Sequence, residues 1–249
     1  MCSSYVDSDV YAESLNTNGT DILFKLVINA VRDGITAQTY KKRAFFLKPI
    51  ISDYKQPNET PDGLTILDSA CTANHMFQKL FEKYPSYTEV RECLTCSYIQ
   101  TKLSITITAN LPTESINFMQ DVLKSRFEEQ RKCIQCASSI QPIYTSGRYI
   151  LIEPVTNKQG QNKTKFDLPI VLKDIPTKIN VFDKQFTLRG LINFLQPSKC
   201  LSMDAIGHYV SYNWRDTNNS WERYDDLLNC IRHVRPSTKI NCQFIMYTL

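Results

Sequence analysis

Two short cysteine pairs constrain this 249-residue chain more than any other feature. Cys93-Leu94-Thr95-Cys96 is followed, after residues 97 to 132, by Cys133-Ile134-Gln135-Cys136. Four thiolates in two knuckles suit a tetrahedral zinc at about 2.3 Å per Zn–S bond, and each Cys-x-x-Cys loop reaches one metal without strain. The bland alternative is two unrelated pairs of reduced cysteines; the matched spacing favours zinc. The chain has nine cysteines, an odd number. No cleavable signal peptide is legible, because the first residues are polar and acidic rather than basic and then apolar. The expectation is therefore a metal site in a reducing compartment, cytoplasm or nucleus. Cys2, Cys71, Cys200, Cys230 and Cys242 read as small buried or half-buried residues.

Composition excludes several classes. An apolar fraction of 42% and a charged fraction of 22% are those of an ordinary globular protein. The net charge of +4, from 29 basic and 25 acidic residues, is too balanced to imply nucleic acid. No apolar run approaches the roughly eighteen residues of a membrane span, and Ile22 to Val31 is interrupted by Lys25. No repeat, low-complexity segment or linker divides residues 1–249, so a single domain is expected.

Periodicity assigns helices first and strands afterward, which is an α+β order. Helical patterns cover the serine-rich opening, Asp21 to Thr39 and Thr65 to Tyr84, with residues 53 to 64 as a Pro/Gly/Asn loop between the last two. His75 in the third segment reads as a surface or core residue rather than a ligand. Leu103 to Ala109 alternates as a strand, and Pro112 to Phe127 carries a helical stripe of Ile116, Met119, Leu123 and Phe127. Arg148 to Val155 reads as a buried strand ended by proline. Asn157 to Thr164 reads as a loop, and Phe166 to Leu172, Lys178 to Phe182 and Phe186 to Phe194 as further strands. Cys242 to Tyr247 closes the sheet.

The chemistry concentrates in Gly207-His208-Tyr209-Val210-Ser211-Tyr212 and Trp221-Glu222-Arg223-Tyr224-Asp225-Asp226. The first piece alternates, with Tyr209 and Ser211 on one face and His208, Val210 and Tyr212 on the other. Asp216 to Ser220 is turn chemistry, so Trp221 to Tyr224 returns as the second strand of a hairpin. That return brings Asp225 beside His208. A carboxylate on one imidazole nitrogen fixes the tautomer and leaves the other nitrogen to act as a base.

Gly-His-Tyr-Val-x-Tyr followed by Trp-x-x-aromatic-Asp-Asp resembles the histidine box of the ubiquitin-specific proteases, a family of papain-like cysteine isopeptidases. The resemblance implies His208 as general base and Asp225 as its orienter, with Asp226 an accessory polar neighbour. Ser3-Ser4-Tyr5-Val6-Asp7-Ser8-Asp9-Val10 is similar to the family's cysteine box, with Ser4 where the nucleophilic cysteine belongs. The order of strand, proline, short helix and second Cys-x-x-Cys is also that of the family's fingers. Taken together, the resemblance implies a helical thumb over 1–90, zinc-binding fingers over 91–147 with Cys93, Cys96, Cys133 and Cys136 as ligands, and a β-rich palm over 148–249. It also implies the C-terminal tail of ubiquitin or a ubiquitin-like protein as partner, with neither nucleic acid nor membrane.

The chain departs from the family pattern in three places. Ser4 replaces the cysteine, only three residues precede it where the family has an oxyanion-stabilising Asn upstream, and Ile152-Glu153-Pro154-Val155 ends the strand after the fingers. The last departure is similar to the divergent SUMO-directed branch. A cysteine near pKa 8.5 is readily drawn to a thiolate by a neighbouring imidazolium, whereas a serine hydroxyl is far too weak an acid for that ion pair. The expectation is an isopeptidase domain inert as written, with Ser4 either a replaced nucleophile or that of a natural pseudo-protease scaffold. Cys2 as a displaced nucleophile and a zinc-ribbon nucleic-acid binder are the remaining alternatives. The His208–Asp225 pair has no use in the latter.

Overall fold

A computed structural model describes residues 36–66, 71–111, 116–157, 164–165, 168–195, 208–225, 227–228 and 230–249. Ser4 and Asp226, Cys2 and Cys200, the two N-terminal helical patterns up to residue 35 and most of the 157–164 loop lie outside these residues. The chain divides into two compact units, Met1–Leu80 and Phe81–Leu249.

In the first unit, helix α1 spans Ala37–Tyr54. Thr36 opens it with a reciprocal capping box: its hydroxyl accepts from the Thr39 amide, and the Thr39 hydroxyl accepts in return from the Thr36 amide. The helix thus begins where the 21–39 pattern was expected to end. It runs through Pro49 into the span read as a loop. Residues 65 and 66 are not helical either. Strands β1 (Asn58–Glu59) and β2 (Thr65–Ile66) form a small hairpin closed around Gly63, whose φ of +81° suits a residue without Cβ. The helix expected from 65 to 84 is confined to α2, Ala73–Leu80, with Ala73 and Phe77 buried. His75 Nε2 is bonded to the Ile50 carbonyl oxygen at 3.0 Å and its ring lies 4.8 Å from that of Tyr54, which is a structural role.

The second unit is β-rich. Strands β3 (Tyr87–Glu92), β4 (Ile99–Ser104) and, later in the chain, β8 (Ile143–Ser146) make a three-stranded sheet in the order β4-β3-β8. The strand expected over 103–109 breaks at Ile105 and Thr106, and resumes as β5 (Ile107–Leu111) in the large sheet. A 3₁₀ turn (Ile116–Phe118) leads into α3, Met119–Glu128. The expected stripe holds: Ile116, Met119 and Leu123 are buried and Phe127 packs beside them. The short β6 (Arg131–Lys132) and β7 (Ser139–Ile140) flank the second knuckle.

The large sheet holds β9 (Tyr149–Asn157), β10 (Thr164–Lys165), β11 (Leu168–Val171), β12 (Lys178–Val181), β13 (Lys184–Leu195), β14 (His208–Arg215), β15 (Ser220–Tyr224), β16 (Arg232–Val234) and β17 (Lys239–Thr248). Its spine runs β10-β9-β17-β13-β14-β15-β16, and β5 joins β9 in parallel. Pro154 does not end β9. It falls beyond Ile152, the last β9 residue paired to β17, so no ladder on that side needs its missing N–H. The closing strand β17 is the centre of the sheet, and its Phe244, Ile245, Met246 and Tyr247 are all buried. Burying such large side chains stabilises each by roughly 1.5–3 kcal/mol, which makes this sheet the platform for everything it carries.

Gly190 shows how closely the platform is packed. A Cβ there would meet the Tyr212 carbonyl oxygen at 2.5 Å and Asn213 Oδ1 at 2.8 Å. The β13–β17 register slips between Leu188 and Gly190. The glycine lets β14 approach at that bulge, and β14 is the strand that begins with His208.

Candidate functional site

The hairpin forms as its sequence predicts. β14 and β15 pair antiparallel from Ser211↔Tyr224 to Arg215↔Ser220, with a turn over 216–219 in which Asn219 takes a left-handed φ of 50°. Alternation puts His208, Val210, Tyr212 and Trp214 on one face, with Trp221 and Arg223 opposite them. Val210, Tyr212 and Trp221 are buried in the core. His208 stands at the end of this apolar row, where burial gives way to a side chain 26% exposed.

Asp225 meets it there. His208 Nε2 lies 2.8 Å from Asp225 Oδ1, and the carboxylate side chain is only 6% exposed. The same oxygen accepts from the Leu227 amide at 3.1 Å, while Oδ2 accepts from Arg223 at 2.6 Å. Burial alone would push this carboxyl up. The hydrogen bonds from His208, Leu227 and Arg223 outweigh it and hold the pKa below the ordinary Asp value. A carboxylate kept ionised in this way holds Nε2 and fixes the ring.

Arg223 was missed by the sequence reading, although a signal for it existed. It is two residues before Asp225 on an alternating strand, so it had to share the face on which His208 lies. The opposite face carries a separate cluster. Arg215 Nε donates to Glu222 at 2.7 Å and the Tyr224 hydroxyl donates to the same oxygen at 2.8 Å. This cluster braces the hairpin away from the histidine.

The four knuckle cysteines also converge. Their Sγ atoms all lie within 4.8 Å of one another, so they could hold a metal ion. The nearest pairs cross between knuckles: Cys93–Cys136 at 3.4 Å and Cys96–Cys133 at 3.6 Å. The two loops are built alike. In each, the first cysteine's amide donates to a carbonyl five residues on, Tyr98 or Ser138. Its own carbonyl accepts from the amide four residues on, Ser97 or Ala137, and both of those residues sit at φ 58°. Two identical turns thus face each other with all four sulfurs inward.

Thiols so crowded share protons unequally. The Ser138 hydroxyl and amide, with Cys93, draw Cys136 down to about 6. Bonding to the Tyr98 residue would lower Cys96 as well, but burial and the three neighbouring thiols push it up to about 12. A divalent cation is the group that allows all four to ionise. Under the site lies only a small cluster of Cys93, Cys133 and Ile140 with Tyr98 against it. Of the other cysteines among the described residues, Cys242 is buried and Cys71 half-buried, but Cys230 is exposed, contrary to expectation.

No family model matches the sequence, and no curated protein matches it. Solved structures do show likenesses. A chain of the Ubp8–Sgf11–Sgf73–Sus1 SAGA DUB module matches at 12% identity and TM-score 0.46, covering 99% of this chain and 63% of its own length. The Saccharomyces cerevisiae PAN2 pseudoubiquitin-hydrolase–RNase module matches at 14% identity and TM-score 0.38, covering 99% of this chain and 42% of its own. An essential yeast splicing factor matches at 8% identity and TM-score 0.38, covering 96% and 53%. These neighbours span more chain than this one, which covers 42–63% of their length.

Proposed function

We propose that this chain is a ubiquitin-specific-protease-like domain that receives the C-terminal tail of ubiquitin or a ubiquitin-like protein at the His208–Asp225 pair. The observation that carries the reading is the 2.8 Å bond between His208 Nε2, at the start of β14, and the 6%-exposed side chain of Asp225, just past the end of β15. A bare structural histidine needs no such orienter. The histidine-box pattern that spans the two residues, Gly207 to Tyr212 and Trp221 to Asp226, supports the same assignment. With a cysteine at the nucleophile position, as in Ser4→Cys, His208 Nδ1 would take its proton and return it to the leaving amine, and Asp225 would stabilise the imidazolium formed between those steps.

Ser4 occupies the nucleophile position by the sequence resemblance. A hydroxyl there cannot form the thiolate–imidazolium pair, so the chain binds the tail and does not cleave it. Asp226 is a polar neighbour of the site in the same reading. Cys93, Cys96, Cys133 and Cys136 hold a structural zinc: the donor set is all sulfur, comes in two Cys-x-x-Cys pairs, and its Sγ atoms lie within 4.8 Å of one another. The metal takes no part in proton transfer and sets the shape of the fingers.

The test uses Ser4→Cys protein with fluorogenic C-terminal substrates of ubiquitin and of SUMO, and Ser4→Cys/His208→Ala as control. The expected result is release by the first protein and none by the second. Absence of both turnover and binding to either modifier would reduce the resemblance to shape alone.

A further inference from the structure

Beside the His208–Asp225 pair the large sheet ends in an edge of unusual charge. Among the described residues β16 is the terminal strand of the spine, paired with β15 through Trp221↔Val234, Glu222↔His233 and Arg223↔Arg232. Arg232, His233 and Arg235 are exposed. From Leu227 to the last residue the sequence contains Arg232, Arg235 and Lys239 and no Asp or Glu.

The neighbouring acids do not compensate. Glu222 is committed to Arg215 and Tyr224, and Asp225 to His208 and Arg223. Arg232 stands directly across from Arg223, whose own charge Asp225 meets at 2.6 Å, which leaves Arg232 with no carboxylate among the described residues. An external carboxylate supplies one.

We propose that β16 is a docking edge for an extended acidic peptide segment, which adds to the sheet as a further strand with its carboxylates on Arg232 and Arg235. Main-chain bonds to the strand edge supply affinity and the uncompensated cations supply selection. The competing role for such charges is protection, since cationic residues also blunt edges against pairing with any chain. A protective edge binds nothing. The proposal goes beyond the isopeptidase reading and does not depend on it, because the peptide is bound rather than cleaved and Ser4 is not involved.

Fluorescence anisotropy of a short fluorescein-labelled Glu/Val peptide with glutamates three positions apart, so that both faces of the added strand carry one, titrated with the intact chain, tests this. The expected result is saturable binding that weakens with added salt. Binding should fall at least about tenfold in Arg232→Glu/Arg235→Glu, the loss of one or two charge-assisted bonds. The same peptide N-methylated at alternate residues should lose a comparable factor, because it cannot form the ladder. Circular dichroism confirms that the double variant is folded, and Arg232→Gln/Arg235→Gln, which removes charge without reversing it, gives an intermediate affinity. No saturable binding overturns the proposal in favour of a blunted edge. Binding indifferent to N-methylation overturns strand addition. Equal or tighter binding of a labelled single-stranded oligonucleotide, lost in the same variant, overturns the peptide as ligand.

Discussion

The fingers and the histidine hairpin solve the same problem with different means. Both must hold a few polar side chains in fixed geometry. The knuckles do so over a core of three buried residues, and their own sulfurs are two of those three. The hairpin does so on a ten-stranded sheet whose buried row includes Trp221, Tyr212 and Val210. One site is a cluster of sulfurs that could hold a metal ion. The other is held by apolar packing, and its polar pair is stable without anything bound.

Metal removal should separate the two most sharply. Structural zinc sites contribute about 10–16 kcal/mol of apparent binding free energy, far more than three small side chains can supply. Chelation, or Cys93→Ser with Cys133→Ser, is expected to unfold the two knuckles, residues 93–98 and 131–140, while β5 and α3 stay in the core and tryptophan fluorescence from Trp214 and Trp221 stays native. Elemental analysis should find about one zinc per chain. A metal-free protein with ordered fingers by hydrogen exchange would erase the distinction.

The converse cut falls on the hairpin. Trp221 is 1% exposed and rests edge-on against Trp214 at 5.3 Å. Trp221→Ala should cost about 3–5 kcal/mol in chemical unfolding. It should leave the zinc content at one per chain. Loss of metal together with the sheet would mean that the fingers borrow their stability from the sheet.

A smaller effect is expected at Gly190. An added methyl collides with backbone of β14, which cannot swing aside as a long side chain would. Gly190→Ala should destabilise by roughly 1–3 kcal/mol. It should also shift the His208 resonances in NMR spectra, because β14 must move.

The smallest effect concerns Asp225. Its folded pKa lies below the unfolded value, so its contribution to stability is present above the unfolded pKa. That contribution is lost as pH falls through the folded one. Asp225→Asn should therefore flatten the loss of stability on acidification below about pH 4, the ordinary Asp range. At neutral pH it should cost about 1 kcal/mol, through the weaker hydrogen bonds left to Arg223 and His208. An unchanged acid limb would show that another carboxylate controls it.

The two sites were legible in the sequence for one shared reason: each is specified over a short stretch. Cys-x-x-Cys places two sulfurs in one turn, and alternation around a polar five-residue turn returns Asp225 to His208 whatever the rest of the chain does. Arg223 was equally legible by the same alternation. The helix α1 was not, because residues 40 to 52 mix Lys, Arg, Phe and Pro without a clean stripe, and its capping box lay inside another expected helix.

By itself, then, the sequence determined the local chemistry: which sulfurs pair in each knuckle, which face His208 occupies, and which carboxylate reaches it. Only the tertiary structure decided how distant pieces combine. Nothing in Cys93–Cys96 announces that Cys136 will lie nearest Cys93, or that β17, last in sequence, is central in the sheet between β9 and β13. Nor does Pro154 announce that its strand continues beside β5. Local pattern is written in bond geometry and period. Long-range pairing is chosen by which arrangement buries the most apolar surface at once, and that quantity belongs to the whole chain.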